Sequence, residues 1–185
     1  MKRLEKKNLN TRKYYNKVLL NHFNNTGLDV TDMWRIEWLL GRWKGGKLLD
    51  IGCGISPLPI IAASKGEVWA MDFSDELIER LRLGTNRVKY ITGDMNKLPF
   101  DDKYFDYVVL GEVLEHSENP KRVISEAERV LKDNGIIAVS CPNEEKEHIY
   151  KQHIWSISRK DIENMLNVTE LDIKSNNILC YAKKK

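Results

Sequence analysis

The chain has 185 residues, 42% hydrophobic and 31% charged, with a formal net charge of +3; that suffices for one sizeable core and falls short of two ordinary domains. No run approaches the ~18 unbroken apolar residues of a membrane span, and Met1-Lys2-Arg3 leads into polar residues without the apolar core of a secretory signal, so a cytoplasmic protein is expected. Cys53, Cys141 and Cys180 are odd in number and form no CxxC pair, which fits reduced thiols better than a disulfide framework or a structural zinc site.

Residues before Lys47 predict one or two helices carrying Trp34 and Trp38 on one face, as packing rather than as a cofactor box. A strand is expected at Lys47 to Ile51, a helix from Pro57 to Ser64, a strand from Glu67 to Met71 and a helix from Asp75 to Leu83 capped by Ser74. Strands follow at Val88 to Thr92 and Phe105 to Leu110. The helix from Asn119 to Leu131 opens on Pro120, carries Val123, Ile124, Ala127, Val130 and Leu131 as an apolar stripe, and is expected to end at Asn134-Gly135. A strand at Gly135 to Cys141, a capped turn at Ser158 to Asp161, and strands at Val168 to Ile173 and Ile178 to Ala182 complete the chain. Short apolar strands alternating with helices predict an α/β protein with a doubly wound, mostly parallel sheet.

Leu48-Leu49-Asp50-Ile51-Gly52-Cys53-Gly54-Ile55-Ser56-Pro57 reads as a strand, a glycine turn and the start of a helix. Gly52 and Gly54 would let the backbone turn tightly and approach a ligand. A second strand ends at Asp72 about 20 residues on, where a carboxylate can accept both hydroxyls of an adenosine ribose. These features suit either a nicotinamide dinucleotide or S-adenosylmethionine. Asp50 separates them: it would repel a pyrophosphate, whereas S-adenosylmethionine carries an ammonium and a sulfonium. Pro57 also stands where the dinucleotide pattern wants a small residue.

With Met71-Asp72-Phe73-Ser74, Gly93-Asp94-Met95-Asn96-Lys97-Leu98-Pro99-Phe100 and Phe105-Asp106 through Glu112-Val113-Leu114-Glu115-His116, the segment from Leu48 to about Asn143 resembles the class I S-adenosylmethionine methyltransferases, particularly the small ubiquinone/menaquinone-biosynthesis type. It departs from them at Ser56, where a third glycine is common. The resemblance implies a Rossmann-like seven-stranded sheet with the last strand antiparallel, an N-terminal helical segment over residues 1–46 and a cofactor-binding domain over 47–185. S-adenosylmethionine is the implied cofactor. Asp50, Gly52, Cys53 and Gly54 would face its amino-acid portion, Asp72 the ribose, Asp94 the adenine amino group, Met95 and Phe73 the ring, and Gly111 the transferable methyl.

Glu112, Glu115 and His116 follow the fourth strand, and a helical turn there would put all three on one face as a base or ligand cluster. Glu112 and His116 are the candidate catalytic residues; His22 and His148 read as surface residues. Glu112 through His116, followed by His153-Ile154-Trp155-Ser156-Ile157-Ser158-Arg159, also resembles the metal-binding pattern of Hen-type RNA 2′-O-methyltransferases. A metal-independent enzyme with a small-molecule acceptor is the preferred reading. A nucleic-acid acceptor and a catalytically silent cofactor-binding subunit remain the alternatives, and the oligomeric state is not legible.

Overall fold

The computed structural model describes residues 1–4, 10–144 and 152–185. Seven strands share one sheet: β1 (Lys47–Ile51), β2 (Glu67–Asp72), β3 (Val88–Thr92), β4 (Phe105–Gly111), β5 (Leu131–Pro142), β6 (Asn167–Lys174) and β7 (Asn177–Lys183), in the order β3-β2-β1-β4-β5-β7-β6. The first five run parallel, and β7 runs antiparallel to both β5 and β6. This is the mostly parallel Rossmann-like sheet that the strand pattern predicts. Its order reverses between β1 and β4, which opens a crevice at their carboxyl ends.

Among the described residues six α-helices accompany it: α1 (Arg12–Thr26), α2 (Met33–Leu39), α3 (Leu58–Ala62), α4 (Asp75–Gly84), α5 (Pro120–Val130) and α6 (Arg159–Met165). Successive side chains of a strand point to opposite faces, so the sheet feeds two apolar layers. Leu49, Ile51, Met71, Val108 and Leu110 join Val123, Ala127 and Val130 of α5 on one face. Leu48, Val68, Ala70 and Val109 join residues of α2, α3 and α4 on the other. Asp50 lies between two core residues of β1, so a carboxylate is carried into the interior by the strand itself.

The strong amphipathic helix ends at Val130, within a residue of the expected Leu131 and ahead of its Asn134-Gly135 turn signal. Leu131 is already extended (φ −77°, ψ 136°), fully buried and paired with Phe105, so the start of β5 stops α5 four residues before Gly135. Burying Leu131 outweighs the Asn134-Gly135 signal. Gly135 instead sits where a Cβ would come within 2.6 Å of the Leu131 side chain. A short antiparallel ribbon of Lys2–Arg3 with Trp155–Ser156 was not expected from the pattern.

Trp38 stacks on Tyr181 with ring centroids 4.1 Å apart, and the Lys174 ammonium lies over the Trp34 ring, so these tryptophans pack as read. Helix α1 buries no residue fully; Leu19 and Phe23 pack partly against the core, and polar contacts tie it to α4. Its Asn16 donates to Asp75 and Glu76 and accepts from the Ser74 hydroxyl at the start of α4. Among the described residues no helix is long and apolar enough to cross a membrane.

Candidate active site

The turn after β1 depends on two residues with positive φ, Gly52 (+71°) and Gly54 (+47°). A Cβ on Gly52 would lie 2.5 Å from Val113 Cγ2, so glycine is required there both for conformation and for space. The Gly52 and Cys53 amides donate to the Met71 carbonyl at 2.8 and 3.0 Å. Asp72 ties the two loops together: one carboxylate oxygen accepts from Gly54 N at 2.9 Å and the other from Ser74 N at 2.9 Å. Burial pushes the Asp72 carboxyl up, opposed by the backbone donors of Ser74, Gly54 and Phe73. Asp50 lacks such relief. Burial, and then the charge of Asp72, push it up to about 7.

A cavity of about 540 Å³ lies at the carboxyl ends of these strands, lined by Asp50, Gly52, Cys53, Gly54, Asp72, Phe73, Asp94, Met95 and Gly111. All nine residues expected around a cofactor thus border one space. Asp94 also serves its own turn, with Oδ1 accepting from the backbone and side-chain nitrogens of Asn96. Phe73 keeps a face exposed beneath the Arg12 guanidinium, 5.0 Å from its centroid. The cavity also takes Tyr15, Asp29, Asp32 and Arg35 from the N-terminal region, which the sequence did not mark. Arg35 directly follows Trp34, but nothing local distinguishes it from a surface arginine.

Glu112 and His116 line the same cavity. The segment is not an α-turn from Glu112. Glu112 itself has φ +55°, and a single 3₁₀ turn covers Leu114–His116, so the expected common helical face is replaced by a kink and a tighter turn. A left-handed glutamate is uncommon, and such outliers cluster at functional sites. Burial raises the Glu112 carboxyl, with Arg35 at 3.8 Å and Ser140 acting against it.

Glu115 is buried and accepts no hydrogen bond from the described residues; burial and then the Glu112 charge hold it well above the usual carboxylate range. His116 Nδ1 lies 3.2 Å from the Tyr15 hydroxyl and 3.3 Å from the Gln152 carbonyl. Burial and the neighbouring His153 imidazole push His116 down to about 4, so it is neutral at physiological pH.

His153 arrives from the far side of the sequence, placed by Ile154 N donating to the Glu115 carbonyl at 2.9 Å. The two imidazole centroids are 4.8 Å apart. One ligand atom from each of Glu115, His116 and His153 falls within 4.8 Å of the others, a grouping compact enough for a cation. Glu112 lies outside that trio. Glu144, also missed in the sequence, meets His153 Nδ1 at 2.7 Å. His22 is exposed on α1, and His148 lies outside the described residues.

A reversed-order parallel sheet with a glycine turn and two strand-end carboxylates around one cleft defines a Rossmann-like cofactor-binding protein. Residues 49–139 match the family described as a methyltransferase domain. A demethylmenaquinone methyltransferase of Staphylococcus epidermidis is 33% identical over 121 residues, 62% of this chain and 50% of the relative. One from Staphylococcus aureus is 35% identical over 121 residues, covering 61% and 50%. The chain thus spans about half the length of these relatives.

Among solved structures, a SAM-dependent methyltransferase from Aquifex aeolicus superposes with a TM-score of 0.71 at 18% identity, covering 92% of this chain and 98% of that one. The [4+2]-cyclase SpnF superposes at 0.76 with 17% identity, covering 93% and 94%. At these identities the superpositions speak to fold alone. The chain belongs to the class I S-adenosylmethionine-dependent methyltransferases, with distant homology to the demethylmenaquinone enzymes.

Proposed function

We propose that the protein transfers a methyl group from S-adenosylmethionine to a small-molecule acceptor bound at the Glu112–His116 end of the cavity. The observation that carries this reading is that the nine anticipated cofactor residues and both candidate catalytic residues border one cavity of about 540 Å³. Asp50 would receive the donor's ammonium, and the side-chain-free backbone at Gly52 and Gly54 would let its amino-acid portion approach closely. Asp72 would hold the ribose, while Phe73 and Met95 would cover adenine and Asp94 its amino group. The relatives' name, which specifies demethylmenaquinone, supports a small organic acceptor over a macromolecule.

The sulfonium is already an activated leaving group, so the protein's task is to align donor and acceptor and to manage the acceptor's proton. His116 is neutral at physiological pH and would take the proton of a hydroxyl acceptor as a base weakened by its burial, and Glu112 would orient the acceptor. Calorimetry is the direct test. Binding of S-adenosylhomocysteine, with none of a nicotinamide dinucleotide, is expected; the reverse would sink the reading. Cofactor binding without transfer to any fraction of a small-molecule, RNA and protein panel would identify a silent module instead.

A second reading is favoured by the compact Glu115, His116 and His153 group. The unsatisfied Glu115 carboxylate and two imidazoles fit a divalent cation, which would lower the pKa of an acceptor hydroxyl. Glu115, His116 and His153 would then be its ligands, three of the four that the Hen-type resemblance implies, Glu112 standing outside the group, with a ribose hydroxyl of RNA as one acceptor of this class. Loss of transfer on chelation and its recovery with a divalent ion would select this reading.

A further inference from the structure

We propose that Arg35 forms the subsite for the carboxylate of the methyl donor, opposite in charge to Asp50, so that α2 and β1 between them grip the donor's amino-acid portion. That portion carries an ammonium and a carboxylate, which need partners of opposite sign. The described residues bordering the cavity bring seven acidic side chains and one cationic side chain, Arg35. Asp50 would answer the ammonium, whereas a carboxylate entering the same space is repelled by every charged neighbour except this guanidinium. Arg12 is engaged elsewhere, 5.0 Å from the Phe73 centroid and paired with Asp75 at 3.3 Å.

Placement agrees with charge. Asp29 N donates to the Ile55 carbonyl at 2.9 Å, which seats the segment ahead of α2 on the glycine turn after β1. Arg35 and Leu39, four residues apart, share the side of α2 that borders the cavity. Leu39 Cδ1 lies 3.5 Å from where a Cβ on Gly111 would stand, so this side of α2 faces the strand end expected to meet the transferable methyl.

The guanidinium is also held in place. Asp32 occupies the N-cap position of α2, yet its carboxylate makes no capping bond and instead pairs with Arg35 Nη1 at 3.1 Å. An N-cap acid that forgoes its cap gives up helix stability, and here it orients a cation. Glu112 Oε2 lies 3.8 Å from the same nitrogen. Among the described residues Nε and Nη2 donate to no acceptor, so the edge of the fork that matches a carboxylate with two parallel hydrogen bonds is open.

The inference rests on the reading of this cavity as the S-adenosylmethionine site, and its test measures binding alone. Calorimetry compares S-adenosylhomocysteine with S-adenosyl-3-thiopropylamine, which keeps the adenosine, the thioether and the ammonium and lacks only the carboxylate. The wild type should prefer S-adenosylhomocysteine by about 10- to 100-fold. Arg35→Gln should lose that preference, with affinity for the decarboxylated ligand changing less than about threefold. Arg35→Lys, which keeps the charge without the fork, should retain a smaller preference than the wild type.

Equal affinity of the wild type for the two ligands overturns the proposal. So does a full preference surviving in Arg35→Gln, or a loss of the same size for both ligands. If Arg35→Gln does not fold, Arg35→Lys decides in its place, and an undiminished preference there overturns the proposal. Absence of binding by either ligand in the wild type would strike the methyltransferase reading and this inference with it, whereas binding of both alike strikes the role of Arg35 alone.

Discussion

The cavity's two ends solve the problem of a buried carboxylate differently. At the cofactor end, Asp72 is surrounded by backbone donors from Gly54 and Ser74, and its charge is partly compensated by the turns that it stabilises. At the acceptor end, Glu115 is buried without a hydrogen bond from the described residues, beside Glu112 and two imidazoles. Asp72 is satisfied as folded; Glu115 stores uncompensated acceptors. Burying an unsatisfied polar group costs about 1 to 3 kcal/mol, so the second arrangement is sustained by the surrounding core and is expected where chemistry or a ligand supplies what is missing.

The largest effect should fall at the acceptor end. With a hydroxyl acceptor and no metal, His116→Ala should lower the rate of labelled-methyl transfer by about 100- to 10,000-fold, the usual contribution of a general base, while His153→Ala should be much milder. Equal losses in the two variants, together with sensitivity to chelation, would show the imidazoles acting as joint ligands. Full activity of His116→Ala on a confirmed hydroxyl acceptor would remove this histidine from the mechanism.

Next comes Gly52→Val, which tests whether the cofactor end is as rigidly specified as it looks. The new Cβ would sit 2.5 Å from Val113 Cγ2 at a φ of +71°. Overpacking of about 1 to 3 kcal/mol and a left-handed penalty of about 1 to 2 kcal/mol should together lower the melting temperature and abolish measurable S-adenosylhomocysteine binding. Retained affinity would mean that the turn can be remade without glycine.

The two ends also differ in how far they can be read from the chain. The cofactor end is built from ten consecutive residues around Gly52 and from strand ends set by apolar runs, so its residues follow from local pattern. At the acceptor end the residue types in Glu112 to His116 were legible, with His153 added by the Hen-type resemblance. The left-handed Glu112 carries no local turn signature, and the contributions of Tyr15, Arg35 and Glu144 depend on tertiary placement of segments with no signature of their own. The early end of α5 has the same origin: Leu131 is claimed by the core, and local turn chemistry gives way to burial.

Asp72→Ala gives a smaller expected effect than Gly52→Val because it removes one partner without inserting a clash. Cofactor affinity should fall by about 1 to 3 kcal/mol, roughly 5- to 150-fold. The Gly54 and Ser74 amides lose their acceptor as well, so the melting temperature should fall in parallel. Unchanged calorimetric affinity would take Asp72 out of the site and leave it a loop tie alone.

The mildest prediction is a pH dependence, and it sharpens the contrast most. Asp50 has no backbone donors like those of Asp72, and burial raises it to about 7 in the cofactor-free protein. Below that pH it is mostly protonated and must lose its proton to pair with the donor's ammonium. Affinity for S-adenosylmethionine should therefore rise with pH and level off above about 7, falling by up to about tenfold per unit on the acid side. Calorimetry in buffers of different ionisation enthalpy should count close to one proton released per cofactor at pH 6 and almost none at pH 8.5. Asp50→Asn should bind more weakly at high pH, lose the slope, and converge with the wild type near pH 5.5. A flat wild-type profile would mean that Asp50 is already ionised when the cofactor arrives, and that the cofactor end compensates both of its carboxylates before binding.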